Sequence, residues 1–127
     1  DAAIASVENA RSAAPFDIGV AFQLGLLYYQ KQNFDKAEAE FERAVSINEN
    51  YSNARYFLGL IRDRKGDTAG ALEQFNKIVG LNPDNAEVKR IVDNLTAGKP
   101  ALDGIVPPAP PPEKRKDAPV KEKEQKK

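Results

Sequence analysis

The side chains that carry most enzymatic and metal chemistry are missing from this chain. Its 127 residues include no His and no Cys, which excludes imidazole or thiolate metal sites, disulfides and catalysis by a His base or Cys nucleophile. The densest remaining set of reactive groups is Glu38, Glu40 and Glu42. These residues alternate with Ala and Phe on a predicted helix, and we interpret them as its solvent-exposed face. No phosphate loop or nucleophile–base pair can be assembled, so we predict no catalysis, no metal and no cofactor.

The charge distribution argues against a nucleic-acid partner. The net charge is zero, but residues 1–98 contain 11 basic against 14 acidic residues, and residues 99–127 contain 8 against 5. A nucleic-acid-binding domain has a basic surface on its folded part, whereas the longer segment here is acidic. No apolar run approaches the roughly 20 residues that a membrane-spanning helix requires. We therefore expect no membrane insertion by this chain.

An internal repeat positions the remaining side chains. A shift of 34 positions aligns residues 18–51 with residues 52–85 without a gap and gives eight identities. The identical pairs include Leu24 and Leu58, Gly25 and Gly59, Leu26 and Leu60, Ala37 and Ala71, and Phe41 and Phe75. A fixed period of this size indicates stacked structural units, because one unit cannot bury its apolar face without a neighbour.

Each copy has the pattern of two helices joined by a tight turn. Apolar residues recur at helical spacing in both halves of each copy. The pattern is interrupted near Gln32 in the first copy and at Gly66 in the second, and Gly can take the positive φ of a turn. Pro83 cannot continue a helix, so it marks the end of the second copy. We predict that each copy is a helical hairpin.

These residues resemble the tetratricopeptide repeat family, a 34-residue helix–turn–helix unit with small residues at fixed positions. The matching small residues are Gly25, Ala37 and Ala44 in the first copy, and Gly59 and Ala71 in the second. The departures from the family pattern are Ala21, Arg55, Arg62 and Ile78. The resemblance implies an all-α fold in which helical hairpins stack into a right-handed superhelix, or solenoid.

Incomplete repeats flank the two full copies. Ala3 and Ala10 align with the small residues of the second helix, so residues 1–14 are interpreted as the second helix of a preceding repeat. Residues 84–97 are interpreted as a first helix without a second one. Asp93 replaces the Gly of the full repeats, which suits the polar cap that ends a solenoid. We predict a helical repeat domain over residues 1–97.

The composition changes after residue 97. Residues 107–112 are Pro apart from one Ala and favour polyproline II, and the Lys- and Glu-rich end cannot bury enough apolar area to offset its ordering entropy. We predict an extended, proline-rich and disordered tail over residues 98–127. Its apolar residues Ala101, Leu102, Ile105 and Val106 lead us to expect that the tail occupies a groove of this chain or of a neighbour.

The resemblance also implies a site, because the first helices of this family line a concave groove that binds peptides. The corresponding candidates are Phe22, Leu26, Tyr29, Tyr56, Leu60, Asp63 and Arg64. Leu26 and Leu60 fit a ligand surface and additional helix packing equally well. Chaperone-binding members hold a terminal carboxylate with Lys and Asn at the places of Phe22 and Leu26. A clamp for chaperone tails is therefore not expected.

Three functional hypotheses remain. The first is a scaffold that binds a protein or peptide in the groove. The second is a structural subunit that self-associates head to tail through residues 1–14, which Asp93 would oppose by placing a charge in the interface. The third is an accessory domain, because repeats followed by GKPALDGIVPP are similar to C-terminal repeat regions of bacterial membrane-anchored proteins. With no initiator Met, we expect a processed product or the soluble portion of a longer protein.

Overall fold

The computed structural model describes residues 2–105, most of which lie in six α-helices. These are α1 (Ala2–Ala13), α2 (Ile18–Gln30), α3 (Phe34–Ile47), α4 (Ser52–Arg64), α5 (Thr68–Leu81) and α6 (Ala86–Thr96). Each helix packs mainly against the next one along the chain, which confirms the predicted all-α architecture of stacked helical hairpins. None of these helices is both long and apolar enough to cross a bilayer. The prolines and charged residues from 106 onward lie outside the described residues.

Local side chains and turn conformations delimit the helices. Four helices begin after a residue whose side chain accepts a hydrogen bond from a backbone N–H in the first turn, namely Asp17, Asn33, Asp67 and Asn85. Such caps satisfy groups that have no partner within the helix. The turns inside the two hairpins use equivalent residues, Gln32 with φ 62° and Gly66 with φ 82°. Both predicted interruptions are thereby confirmed.

The tightest packing in each hairpin brings a glycine of the first helix against a phenylalanine ring of the second. A Cβ added to Gly25 would lie 2.6 Å from Cε1 of Phe41. The same contact recurs one repeat later, where a Cβ on Gly59 would lie 2.6 Å from Cε2 of Phe75. Both rings are fully buried, so they cannot move aside cheaply in a close-packed interior. A residue without a Cβ is therefore required at both positions.

The ring of Phe57 joins the two repeats. It stacks on Phe41 with centroids 5.5 Å apart and lies edge-on to Tyr29 at 5.4 Å. Phe22 is within 6.0 Å of the same ring. Aromatic clusters of this kind bury large areas and favour tilted or offset geometries. This cluster fixes α4 against both helices of the first repeat.

A polar contact between consecutive hairpins is also repeated. The Tyr28 hydroxyl of α2 donates a hydrogen bond to Glu8 of α1. One period later, Arg62 of α4 donates to Glu42 of α3 at 2.6 Å. The helix α1 therefore packs against α2 in the same way that α3 packs against α4. Arg62 departs from the family pattern because it makes this ion pair.

Of the three acidic residues predicted to form the solvent-exposed face of α3, Glu42 is exposed, Glu38 is half-buried and Glu40 is buried. Glu40 is 6% exposed and pairs with Arg11 of α1. Glu38 accepts hydrogen bonds from Arg62 of α4 and from Lys65, the residue that follows α4. Residues two apart on a helix point roughly 200° away from each other, so Glu38 and Glu40 reach opposite neighbours. The interpretation was wrong for Glu38 and Glu40, because their carboxylates link α3 to the helices on both sides.

The last described helix, α6, has one buried face and one exposed face. Val88, Ile91 and Leu95 of α6 are buried, and Asp93 is exposed. An exposed carboxylate at this position avoids the desolvation that a further helix would impose on it. The described part of the chain therefore has an apolar face on α6 that packs against α5, and a polar face beyond it.

Residues 98–105 do not form the extended tail that we predicted for this segment. They form turns in which Asp103 N–H donates to Pro100 O at 3.1 Å and Ile105 N–H donates to Leu102 O at 2.9 Å. Ala101 is only 1% exposed. We call residues 99–105 the strap. The prediction was wrong for residues 98–105, because it rested on the average composition of residues 98–127. That stretch is rich in Pro and charged residues, which conceals the three apolar residues of this segment.

The glycine contact predicts an unequal response to two Gly→Ala substitutions. Gly25→Ala should lower the free energy of unfolding by about 1–3 kcal/mol, because its Cβ overlaps a ring that cannot move. Gly80→Ala is the matched control, since it lies in α5 with nothing within 4 Å of an added Cβ, and should be neutral or stabilising by up to about 1 kcal/mol. Urea unfolding followed by circular dichroism measures both values. Equal midpoints for the two variants would contradict the assigned packing.

The ion pairs of α3 predict a loss of stability in acid. Burial of Glu38 acts to raise its pKa, but hydrogen bonds and charges from Lys65 and Arg62 outweigh this effect and lower the pKa overall. A pKa lowered by folding gives stability that is present above the unfolded pKa and lost as the pH falls through the folded pKa. Thermal midpoints should therefore fall as the pH drops below 4.5, the ordinary pKa of this group.

A substitution isolates the contribution of this carboxylate. Glu38→Gln should lower the midpoint at pH 7 and flatten its decline in acid, whereas Glu73→Gln on an exposed part of α5 should change neither. The effect should also shrink in high salt, since partly exposed ion pairs are screened. Identical pH profiles for the wild-type chain and Glu38→Gln would refute this assignment.

Candidate peptide-binding site

A pocket forms where all three first helices, α2, α4 and α6, come together. It has a volume of about 450 Å³ and is lined by Tyr29, Asn53, Tyr56, Phe57, Leu60, Asn85, Glu87, Val88 and Leu102. Pockets that hold ligands are typically concave and largely apolar, with a few polar groups. This pocket has that composition, and its volume accommodates one large apolar side chain with its adjoining backbone.

The floor of the pocket is apolar and formed by packed rings. Tyr29 lies edge-on to Phe57, and Phe57 lies edge-on to Tyr56 at 5.5 Å. Leu60 completes the floor and is 8% exposed. Burial raises the pKa of Tyr29 above its ordinary value, so its phenol stays neutral at physiological pH. The pocket surface is held rigid by the same cluster that joins the two repeats.

The polar rim is acidic. The Tyr56 hydroxyl donates to Glu87 of α6 at 3.1 Å. Burial, this hydrogen bond and the negative charge of Glu87 raise the pKa of Tyr56 to about 12. The phenol therefore remains a protonated donor at neutral pH. Asn85 lies beside this pair and caps α6 through Val88 N–H.

The strap closes one side of the pocket. Asp63 Oδ2 accepts a hydrogen bond from Ala101 N–H at 3.1 Å. Asn94 Nδ2 donates to the backbone oxygens of Ala101 and Asp103, both at 2.9 Å. These contacts hold the backbone of the strap between α4 and α6, and Leu102 consequently lines the pocket.

The structure brings together three of the seven residues predicted to bind a peptide. Tyr29, Tyr56 and Leu60 line the pocket. Asp63 lies beside them, but its carboxylate is bound to the strap. Leu60 packs in the core next to α6 and also lines the pocket floor. Its role as a ligand contact stays a prediction.

The other three predicted residues lie elsewhere. Phe22 packs on Phe41 at 5.7 Å and on Tyr51 at 5.4 Å. Leu26 is half-buried against the core of the first repeat. Arg64 lies over the ring of Phe34, with its guanidinium carbon 4.4 Å from the centroid. A peptide-binding role for these three residues stays a prediction.

Arg64 borders a second pocket, of about 580 Å³, at the turn between α2 and α3. Its charged groups are already engaged: Lys65 binds Asp35 and Glu38, and Arg64 covers the Phe34 ring. Over residues 2–105 no cluster of three or more His, Cys, Asp or Glu side chains could hold a metal ion. The pocket lined by α2, α4 and α6 is therefore the stronger candidate site.

Sequence reasoning missed the contribution of α6 to this pocket. Extending the 34-residue period by one more step from Asn53 leads to Glu87, and Asn85 and Val88 are its neighbours. That signal was present but was not used. Leu102 lies outside the repeat pattern, and its only signal was an apolar side chain in a polar segment. Its contact with the pocket depends on the path of the strap.

Comparison with known sequences agrees with the observed fold. The profile described as tetratricopeptide repeat matches residues 1–54 and 22–86. Superkiller protein 3 of Schizosaccharomyces pombe is 36% identical over 72 residues, which is 57% of this chain and 5% of that protein. Human E3 SUMO-protein ligase RanBP2 is 26% identical over 101 residues, which is 80% of this chain and 3% of that protein. The chain thus spans a small part of these relatives.

Solved structures of MamA have a similar fold. A crystal structure of MamA superimposes with a TM-score of 0.72 at 22% identity, covering 81% of this chain and 58% of that one. A second MamA structure, titled MSR-1, gives a TM-score of 0.66 at 28% identity, covering 82% of this chain and 60% of that one. The repeat profile covers more than half of the sequence, and the helices form its hairpins. The chain therefore belongs to the tetratricopeptide repeat family.

Proposed function

We propose that this chain is a protein-interaction module that binds a short segment of a partner protein in the groove of α2, α4 and α6. The observation that carries this proposal is the pocket itself, which has an apolar floor of packed rings and an acidic rim. Family membership supports a scaffold role, and MamA-like folds are consistent with it.

The pocket chemistry specifies the kind of segment that would fit. An aliphatic or aromatic side chain suits the floor of Tyr29, Phe57 and Leu60. The amides of Asn53 and Asn85 both donate and accept hydrogen bonds, which suits a peptide backbone. None of the lining residues is basic, so nothing in the pocket would balance a terminal carboxylate. The preferred ligand is therefore an internal segment with an apolar anchor.

Self-assembly is the second candidate, and it rests on α1. Within this helix only Val7 is buried, so much of its surface is available to another molecule. The opposite end of the described array is already occupied, because Ala101, Leu102 and Ile105 pack on the cluster that contains Ile91. A head-to-tail neighbour would have to displace these contacts and also cover Asp93. Peptide binding therefore explains more of the structure.

Peptide selection followed by mutagenesis tests the proposal. Random peptides displayed on phage would be selected on the full chain, and the affinities of synthetic copies measured by fluorescence anisotropy. Tyr56→Ala should weaken binding by about tenfold or more, since a buried aromatic of an interface typically contributes more than 1 kcal/mol. Amidation of the peptide C-terminus should leave affinity unchanged.

The matched control is Phe16→Ala, an aromatic truncation at a residue that is 83% exposed and lies between α1 and α2. It should bind the selected peptides like the wild type. Circular dichroism would verify that both variants keep their helicity. Equal affinities for Tyr56→Ala and the wild type, or a strict requirement for a free carboxylate, would disprove binding in this pocket.

A further inference from the structure

We propose that the strap, residues 99–105, occupies the part of the groove beside the open pocket, and that a partner segment must displace it to use the same backbone contacts. This inference rests on the proposed function, since it concerns access to the same pocket. Three independent features of the strap support it: its backbone anchors, its apolar contacts and the glycines that set its path.

The backbone anchors come from the helices that form the groove. Asp63 on α4 binds the N–H of Ala101, and Asn94 on α6 binds its carbonyl oxygen. One residue of the strap is thus held at both of its peptide groups by side chains. Contacts to main-chain groups do not depend on the side chain of the bound residue. A partner segment with the same backbone geometry could take them over.

The apolar contacts extend from the anchors into the pocket. Ala101 is buried, and Leu102 and Ile105 are partly buried against the cluster that contains Leu60 and Val88. Leu102 faces the same space as Tyr56 and Tyr29. Removing an aliphatic side chain from water favours the docked state. The strap therefore uses the kind of anchor that we expect of a partner.

Two glycines direct the strap to this position. Gly98, with φ 79°, follows the end of α6, just as Gln32 and Gly66 follow the ends of α2 and α4. Gly98 stands two positions earlier in the 34-residue repeat than Gln32 and Gly66 do. Two residues correspond to roughly 200° around a helix, so the chain leaves α6 in a different direction from the one that leads into a second helix. Gly104 has φ 70°, and its Cβ would lie 3.0 Å from Arg90 Nη2. The backbone conformations of these two glycines thus set the path of the strap.

Covalent attachment makes the strap a strong competitor even if each contact is weak. A segment tethered by a short linker has an effective concentration in the millimolar range. If the strap occupies the groove for about nine-tenths of the time, the apparent affinity of a partner falls about tenfold, because only the open fraction binds. Release of the strap should therefore raise the apparent affinity of the partner about tenfold.

The first test uses the full chain and a peptide with the sequence of residues 99–105, KPALDGI. Leu102→Asp should expel the strap, because it places a carboxylate in an apolar pocket beside Glu87. The matched control is Leu81→Asp, at a residue of α5 that is 39% exposed and is not among the pocket-lining side chains. Amide NMR shifts of Tyr56 and Leu60 would report binding of the peptide.

We expect half-saturation at a peptide concentration about tenfold lower for Leu102→Asp than for the wild type or Leu81→Asp. Equal concentrations in all three chains, or no shift in any of them, would overturn the proposal. Tyr56→Ala combined with Leu102→Asp should remove the gain. Retention of the gain in that double variant would place the peptide elsewhere and also overturn the proposal.

Hydrogen exchange at Ala101 tests docking of the strap without any ligand. Its N–H is bound to Asp63, so exchange should be at least about tenfold slower than in an unstructured peptide. Leu102→Asp and Asp63→Ala should each abolish this protection, and Leu81→Asp should not. Unprotected exchange in the wild-type chain would overturn the proposal. Protected exchange combined with a failure to select any peptide would reject the proposed function while the strap contact stands.

Discussion

The contact between a glycine backbone and a buried phenylalanine ring determines the spacing inside each hairpin, and the other features of the fold depend on it. Because Gly25 lets α2 approach Phe41 closely, that ring can reach Phe57 of the next repeat. Phe57 in turn supports Tyr29 and Tyr56 at the groove. The same two positions thus connect close helix packing, repeat stacking and the geometry of the pocket. A larger residue at the glycine would disturb all three.

The proposed binding site lies at the third unit, where the regular repeat pattern ends. In the third unit, Asp93 takes the place of the glycine, and α6 ends early at Gly98. Within the described residues no second helix follows, and the strap packs near α4 and α6 instead. Asp63 and Asn94 hold backbone groups of the strap. An array of identical units would have no such asymmetry, and its pocket would lack the wall that Leu102 supplies.

Sequence periodicity predicted the features that depend on local pattern. It identified the helical hairpins, the interruptions at Gln32 and Gly66, and the buried face of α6, because apolar spacing and turn chemistry are properties of short segments. It did not identify the partners of Glu40, since periodicity does not reveal which charge a distant helix supplies. Composition assigned Leu102 to an extended tail, and its apolar side chain led us to expect that tail in a groove of this chain or of a neighbour. Composition could not specify the turns of residues 98–105 or the helices that they contact. Pairwise contacts between distant residues account for each difference.

The central claim is that the strap lies in the groove with Leu102 against the aromatic side chains of the pocket. Nuclear Overhauser contacts in the full chain test it most directly, because they report proximity between specific protons. We expect cross-peaks from the Leu102 methyl groups to ring protons of Tyr56 or Phe57, with upfield methyl shifts caused by those rings. Random-coil shifts for Leu102 and no cross-peak to any ring that lines the pocket would contradict it.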